Sequence, residues 1–388
     1  MIYLDNSATT KMSARAVAKM MEATETYGNP SSLHSMGLAA EKLLTEARGR
    51  ILASLGVSRG VPGQLIFTAG GTEANNLAIF GTLRAKKRSG SSHVIISEGE
   101  HSSVEACAEA LSREGVRVTR ISTKNGALDL NALEAALTPD TVLISLMLVN
   151  NETGACYDVR SAFALAKRLC PRIVTHCDAV QGYMKVKFTP AALGADLVSL
   201  SAHKIGGPKG VGALYVDPAV LKAKNLACTT YGGGQENGLR SGTENVYGIA
   251  AFGEAAQERQ QTLAADLAHM AALRDRLDAA ITEAFPDGAV TVNRPMGDRA
   301  PHILNIRVDG VRSETMLHHL SAEGYFISSG SACSSHARGT SRALSAFGLS
   351  EKQADGALRV SLCPNNTETE IDGFVHALAA GVKRFRRK

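Results

Sequence analysis

At 388 residues, 44% hydrophobic and 20% charged, the chain is long enough for two domains and too apolar to be a disordered protein. Its net charge of +5 is spread along the sequence apart from the terminal run Lys383–Lys388, which reads as a solvated helix end, so direct nucleic-acid binding is not expected. No basic segment followed by an apolar one opens the chain, and its most apolar stretch, Val142–Val149, is too short to cross a bilayer, so no membrane contact and a cytoplasmic location are expected.

Between about residues 40 and 220, short apolar runs alternate with helical patterns. The runs are Leu65–Phe67, Val94–Ile96, Val142–Met147, Ile173–Val174, Leu197–Leu200 and Gly212–Val216. Continuous apolar runs separated by helices predict an α/β fold: a mostly parallel sheet covered by helices on both faces. One such helix is predicted from Thr72 to about Leu83, with Leu77, Ala78 and Phe80 on one stripe. A long helical pattern follows over Glu254–Phe285 and leads into a smaller α/β unit with strands at Ile303–Ile306 and Leu358–Leu362 and a last helix from Glu368 to about Phe385. No internal repeat is present.

In open parallel sheets ligands bind beyond the carboxyl ends of the strands. Five runs here end in polar segments: Thr68–Glu73, Ser97–His101, Asn150–Gly154, His176–Gln181 and Ser201–Gly210. Each alone is an ordinary loop; together they describe one polar site. Gly70-Gly71-Thr72 offers free amides at a helix start, where anions bind, though glycine there can equally be a turn. It is neither a Walker loop nor a dinucleotide fingerprint. Lys204 is either a surface lysine or an amine held in a partly desolvated pocket, where it could form an imine with an aldehyde. Asp178, at a strand end, is either a turn residue or a carboxylate able to keep a pyridine nitrogen protonated. Arg359 alone reads as a surface ion pair.

The seven cysteines (107, 156, 170, 177, 228, 333, 363) form no Cys-x-x-Cys pair and no paired spacing with histidines, so neither a metal site nor a disulfide framework is expected. Six read as buried, inert thiols. Cys333 differs: it sits in Ser328–Ser335, a run of small polar residues without apolar periodicity that suits an exposed, mobile loop and a reactive thiolate.

Several segments carry a family resemblance. They include Tyr3–Thr10, Gly28–Ser32, Phe67–Leu77, Val149–Gly154, Asp178–Gln181, Ser201–Gly210, Gly232–Glu236, Arg240–Thr243 and Ser328–Cys333. In order and spacing the chain resembles the cysteine desulfurases of the NifS/IscS type, in the class V, fold-type I group of pyridoxal-phosphate enzymes. The resemblance implies a large cofactor-binding domain over 13–257. It implies a small domain over 258–388, joined by the N-terminal segment 1–12 and carrying a catalytic cysteine loop at about 328–342. It implies that Lys204 bonds the cofactor and moves protons, that Asp178 pairs with the ring nitrogen, Gln181 with the ring hydroxyl, and that His101 stacks on the ring. Gly71, Thr72, Ser201 and His203 would hold the phosphate, with Thr243 supplied by the partner of a homodimer. Asn151, which also borders the cofactor, and Arg359 would receive the carboxylate of L-cysteine. Cys333 would take its sulfur, with His101 as acid or base, release alanine, and pass the sulfur to an acceptor such as an iron–sulfur scaffold protein.

Two positions depart from the family pattern: Gly71 stands where members often carry Ala, and Val180 where they often carry Thr or Ala. The chain also ends soon after its last helix, short of the extension by which IscS enzymes engage a scaffold, which leaves the acceptor open. A class V aminotransferase or selenocysteine lyase is the enzymatic alternative. A non-catalytic sulfur-transfer scaffold is the third reading.

Overall fold

The computed structural model describes residues 1–86, 92–329 and 341–386. These contain the strands β1 (Ile2–Tyr3), β2 (Leu65–Thr68), β3 (His93–Ser97), β4 (Arg117–Ile121), β5 (Thr141–Met147), β6 (Val174–Asp178), β7 (Leu197–Ser201), β8 (Gly212–Val216), β9 (Val290–Val292), β10 (Ile303–Val308), β11 (Tyr325–Phe326) and β12 (Ala357–Ser361). Seven of them form one sheet in the order β2-β8-β7-β6-β5-β3-β4. All neighbours in it are parallel except β8, which runs antiparallel to both β2 and β7. Two reversals cancel, so β2 ends at the same edge as the parallel strands.

Every residue of β2, β3 and β5 to β8 is buried, as continuous apolar runs require when both faces are covered. Alternate side chains feed two apolar clusters, one per face: Phe67, Ile95, Ile144 and Val198 on one, Ile66, Val94, Leu143 and Leu197 on the other. The helices Gly71–Ala85 and Ser102–Arg113 contribute to the second cluster, and Ser35–Ser54 and Val159–Leu169 to the first.

The helix expected from Glu254 begins eight residues earlier and spans Val246–Ala284, capped by the Asn245 side chain accepting from the Gly248 amide. Its Gly248 and Gly253 look like breakers but serve close packing. A Cβ on Gly253 would stand 2.6 Å from the Ala47 Cα of the helix Ser35–Ser54. The first half of this helix belongs to the large-sheet core, while Leu273, Leu277 and Ile281 belong to a separate cluster around the antiparallel sheet β12-β10-β9. The N-terminal segment joins that second cluster: β1 pairs with β11, Leu4 is buried there, and Asp5 bridges to Ser361 of β12. Among the described residues no helix is long and apolar enough to cross a membrane.

Candidate active site

At the carboxyl edge of the large sheet a cavity is lined by Gly71, Thr72, His101, Asn151, Asp178, Gln181, Ser201, His203, Lys204 and Arg359. The residues singled out from sequence therefore converge, with two exceptions. Thr243 is exposed and does not line it. Cys333 lies outside the described residues.

The N-terminal segment closes one side. Lys204 Nζ donates to the carbonyls of Ser7 at 2.5 Å and Ala8 at 2.9 Å, and Gln181 Nε2 donates to Ser7 at 2.8 Å. Lys204 is thus a half-buried amine, not a surface lysine. His203 makes a 3.2 Å hydrogen bond from Nδ1 to Thr9 Oγ1, and burial with the nearby charge of Lys204 lowers its pKa to about 4, so its ring is neutral near pH 7.

Asp178 stands at a strand end, as the sequence indicated, as the last residue of β6. The polar-looking His176 before it belongs to the strand because it is satisfied sideways, by Ser145 Oγ on β5 at 2.7 Å and Ser199 Oγ on β7 at 2.9 Å. Asp178 Oδ1 accepts the Val180 amide at 3.0 Å, and Oδ2 accepts Asn75 Nδ2 at 2.7 Å. Asn75 also donates to Ser103 Oγ at 2.8 Å, which stands 2.8 Å from His101 Nδ1. His101 caps the helix Ser102–Arg113 by accepting the Ser103 amide on Nδ1. That bond leaves Nε2 to carry the proton of the neutral ring. One polar chain thus runs from Asp178 through Asn75 and Ser103 to His101. Asn75 and Ser103 had no role assigned from sequence. The available signal was an asparagine among Ala74, Leu77 and Ala78, on the buried stripe of a helix.

Arg359, which alone read as a surface ion pair, lies instead in the cavity wall. It is 1% exposed rather than a surface residue, and it donates to Asp5 Oδ1 at 2.6 Å and to the Asn151 carbonyl at 2.9 Å. Its Nε has no partner among the described residues.

The cavity suits an anionic ring-bearing group. The helix Gly71–Ala85 presents first-turn amides without intrahelical acceptors. Two buried oxygens on the wall, Gln181 Oε1 and Asn75 Oδ1, have no partner among the described residues. The two departures from the family pattern meet here: a Cβ on Gly71 would stand 2.6 Å from Val180 Cγ2, so the larger Val180 occupies the space that the smaller Gly71 gives up.

The described residues flanking the Cys333 segment attach beside this cavity. Ser328 exchanges backbone hydrogen bonds with Arg359 at 3.2 and 2.7 Å, and Ser341 Oγ donates to Glu152 Oε2 at 2.6 Å. The other cysteines are less uniform than expected. Cys107 and Cys177 are buried, but Cys156, Cys170, Cys228 and Cys363 are only partly so. Burial pushes the Cys107 and Cys156 thiols up to about 12, which keeps both protonated.

Comparison with known proteins gives this geometry its family. The chain belongs to the aminotransferase class-V family, whose model matches residues 2–374. It is 39% identical to cysteine desulfurase 2 of Trichormus variabilis over 387 residues, covering 99% of this chain and 94% of that one. It is 39% identical to the cysteine desulfurase IscS of Vibrio vulnificus, covering 99% and 93%. A solved NifS-like protein superposes with a TM-score of 0.89 at 32% identity, over 98% of each chain.

Proposed function

We propose that the chain is a pyridoxal-phosphate-dependent cysteine desulfurase that takes sulfur from L-cysteine, releases alanine and leaves a persulfide on Cys333. The observation that carries this reading is the convergence of the Lys204 amine, the Asp178 carboxylate and the Gly71 helix start on one cavity. Pyridoxal phosphate, when bound, supplies an electron-withdrawing ring that labilises bonds of an attached amino acid.

The protein's own residues have the following tasks in this reading. Amides at Gly71 and Thr72, with Ser201 and His203, hold the phosphate. Asp178, fixed by the Val180 amide and Asn75, accepts the proton-bearing ring nitrogen. Gln181, anchored by its nitrogen on Ser7, offers its unpartnered oxygen to the ring hydroxyl. Lys204 binds the cofactor and moves the proton at the substrate α-carbon. Arg359 and Asn151 receive the substrate carboxylate, which a guanidinium held by Asp5 meets without reorganising. His101 would stack on the ring and would exchange a proton with the thiol through Nε2.

Cys333 is four residues beyond Ser329. The described residues on either side of the cysteine attach beside the cavity, Ser328 to Arg359 and Ser341 to Glu152, which supports assigning the sulfur-accepting thiol to Cys333. A homodimer in which Thr243 completes the partner's phosphate site accounts for its exposure away from this chain's cavity. Residues 13–257 and 258–388 are taken as two domains, with 1–12 joined to the second; the separate apolar clusters support that division. A cytoplasmic protein passing sulfur to an acceptor protein, such as an iron–sulfur scaffold, completes the proposal.

The test is alanine and sulfide formation from L-cysteine with a reductant present, comparing the wild type with Cys333→Ala. Equal yields of both products, absent in the variant, are expected. Full activity in the variant would move the chain to the lyases or transaminases.

A further inference from the structure

Lys204 borders a second cavity on its other side, whose wall includes Lys185, Arg259, Asp266, Met184, Met270 and Cys363. Lys185 is 6% exposed, and among the described residues its Nζ has no hydrogen-bond partner. A buried, unpaired ammonium is costly, and a neutral amine there would still leave its N–H groups unsatisfied. The one carboxylate on the wall is committed elsewhere. Asp266 accepts from Arg259 Nη1 at 3.2 Å and from Thr262 Oγ1 at 2.8 Å. Burial, with the nearby charges of Lys204, Arg259 and Arg359 outweighing the opposing Cys363, lowers the pKa of Lys185 to about 7. Met184, Met270 and Cys363 give the cavity polarisable sulfur surfaces.

We propose that this rear cavity is a binding site for a soft monovalent anion held by Lys185, with hydrosulfide as its natural occupant. An anion satisfies both the charge and the donors of Lys185, and sulfur-lined walls favour a polarisable ion over a hard one. That some soft anion binds follows from the cavity itself; the choice of hydrosulfide rests on the desulfurase reading, in which sulfide is formed when a reductant discharges the persulfide. Because Lys204 forms part of both walls, an anion here also raises the proton affinity of the amine facing the cofactor cavity.

The experiment is line broadening of chloride in NMR, on the purified cofactor-loaded protein, with bromide and then hydrosulfide as competitors. Lys185→Met and Lys185→Gln are the variants. Replacing a buried unpaired lysine by methionine removes a desolvation cost, and retained cofactor absorbance with a melting temperature no lower than the wild type's shows that each variant is folded. The expected result is excess broadening in the wild type that both competitors relieve, with chloride affinity about tenfold weaker in both variants. Equal broadening in wild type and folded variants would overturn the site. Competition by bromide but not hydrosulfide would overturn the assigned occupant. Lys185-dependent broadening in a protein that makes no alanine from cysteine would leave the anion site standing and remove the desulfurase reading.

Discussion

The two sheets bring charge to the same cavity by different routes. In the large sheet, Asp178 is the last paired residue of β6 and Lys204 follows β7, so both side chains stand at the carboxyl edge of the ladder. In the small sheet, Arg359 stands in the middle of β12, opposite Asn305 of β10, and is almost wholly buried against Asp5. Groups at strand ends can be replaced without disturbing the sheet. A charge within a strand is part of the wall and part of the fold at once.

Lys204→Ala gives the largest expected effect and the sharpest form of this contrast. Turnover of L-cysteine should fall by about 10³-fold or more, as expected when the group that moves the proton is removed. The thermal unfolding of the variant, measured without cofactor, should stay close to that of the wild type. Asp5→Ala should do the reverse. Among the described residues it leaves the Arg359 guanidinium with only the Asn151 carbonyl, and stability to urea should fall by about 3–5 kcal/mol, the usual cost of breaking a buried ion pair. If Lys204→Ala unfolds as readily as Asp5→Ala, the distinction between strand-end and mid-strand charge is wrong.

A pH experiment sharpens the comparison within the large sheet. Glu100, between the β3 end and His101, is buried, with Ser97 Oγ and the Met147 amide donating to its Oε1 while Oε2 has no partner among the described residues. Burial pushes its pKa up from 4.5 to about 8. Between those values the folded protein binds a proton that the unfolded chain has lost, so this group makes stability fall as pH rises through that window. His93, His176 and His203 act oppositely below pH 6.5, because burial lowers each to about 4 and the unfolded chain binds the extra protons. Glu100→Gln keeps both accepted bonds and isolates the effect. The variant should gain stability relative to the wild type as pH rises from 5 to 8, measured by urea unfolding at each pH. A difference that does not change with pH would show that Glu100 is ionised in the fold.

Much of this was visible in the sequence because it is written locally. Runs such as Val142–Met147 mark buried strands by themselves, and polar residues directly after them mark the site edge. What was missed depends on partners distant in the chain. The strand Arg117–Ile121 was not predicted, because as the edge strand its Arg117 and Arg120 are exposed and it lacks a continuous apolar run. The strand character of His176–Asp178 depends on Ser145 and Ser199, and the burial of Arg359 depends on Asp5, 354 residues away. Such pairings leave no periodicity to read.

The smallest effect tests a pairing that the sequence did show, but only as two separate departures. Gly71 and Val180 share one volume, so neither should tolerate the family's usual choice as well alone as together. Gly71→Ala drives a methyl against Val180 Cγ2 and should cost about 1–3 kcal/mol, the range for overpacking a filled site. Val180→Ala alone removes two methyl groups from the cavity wall and should cost about 1 kcal/mol. The double variant should recover most of the loss, giving a coupling energy of about 1 kcal/mol or more in urea unfolding. Additive losses would mean that Val180 turns aside freely and that the two departures are independent. A favourable coupling would show that the helix start facing the cavity keeps its position through compensation between the ends of two different strands, β2 and β6.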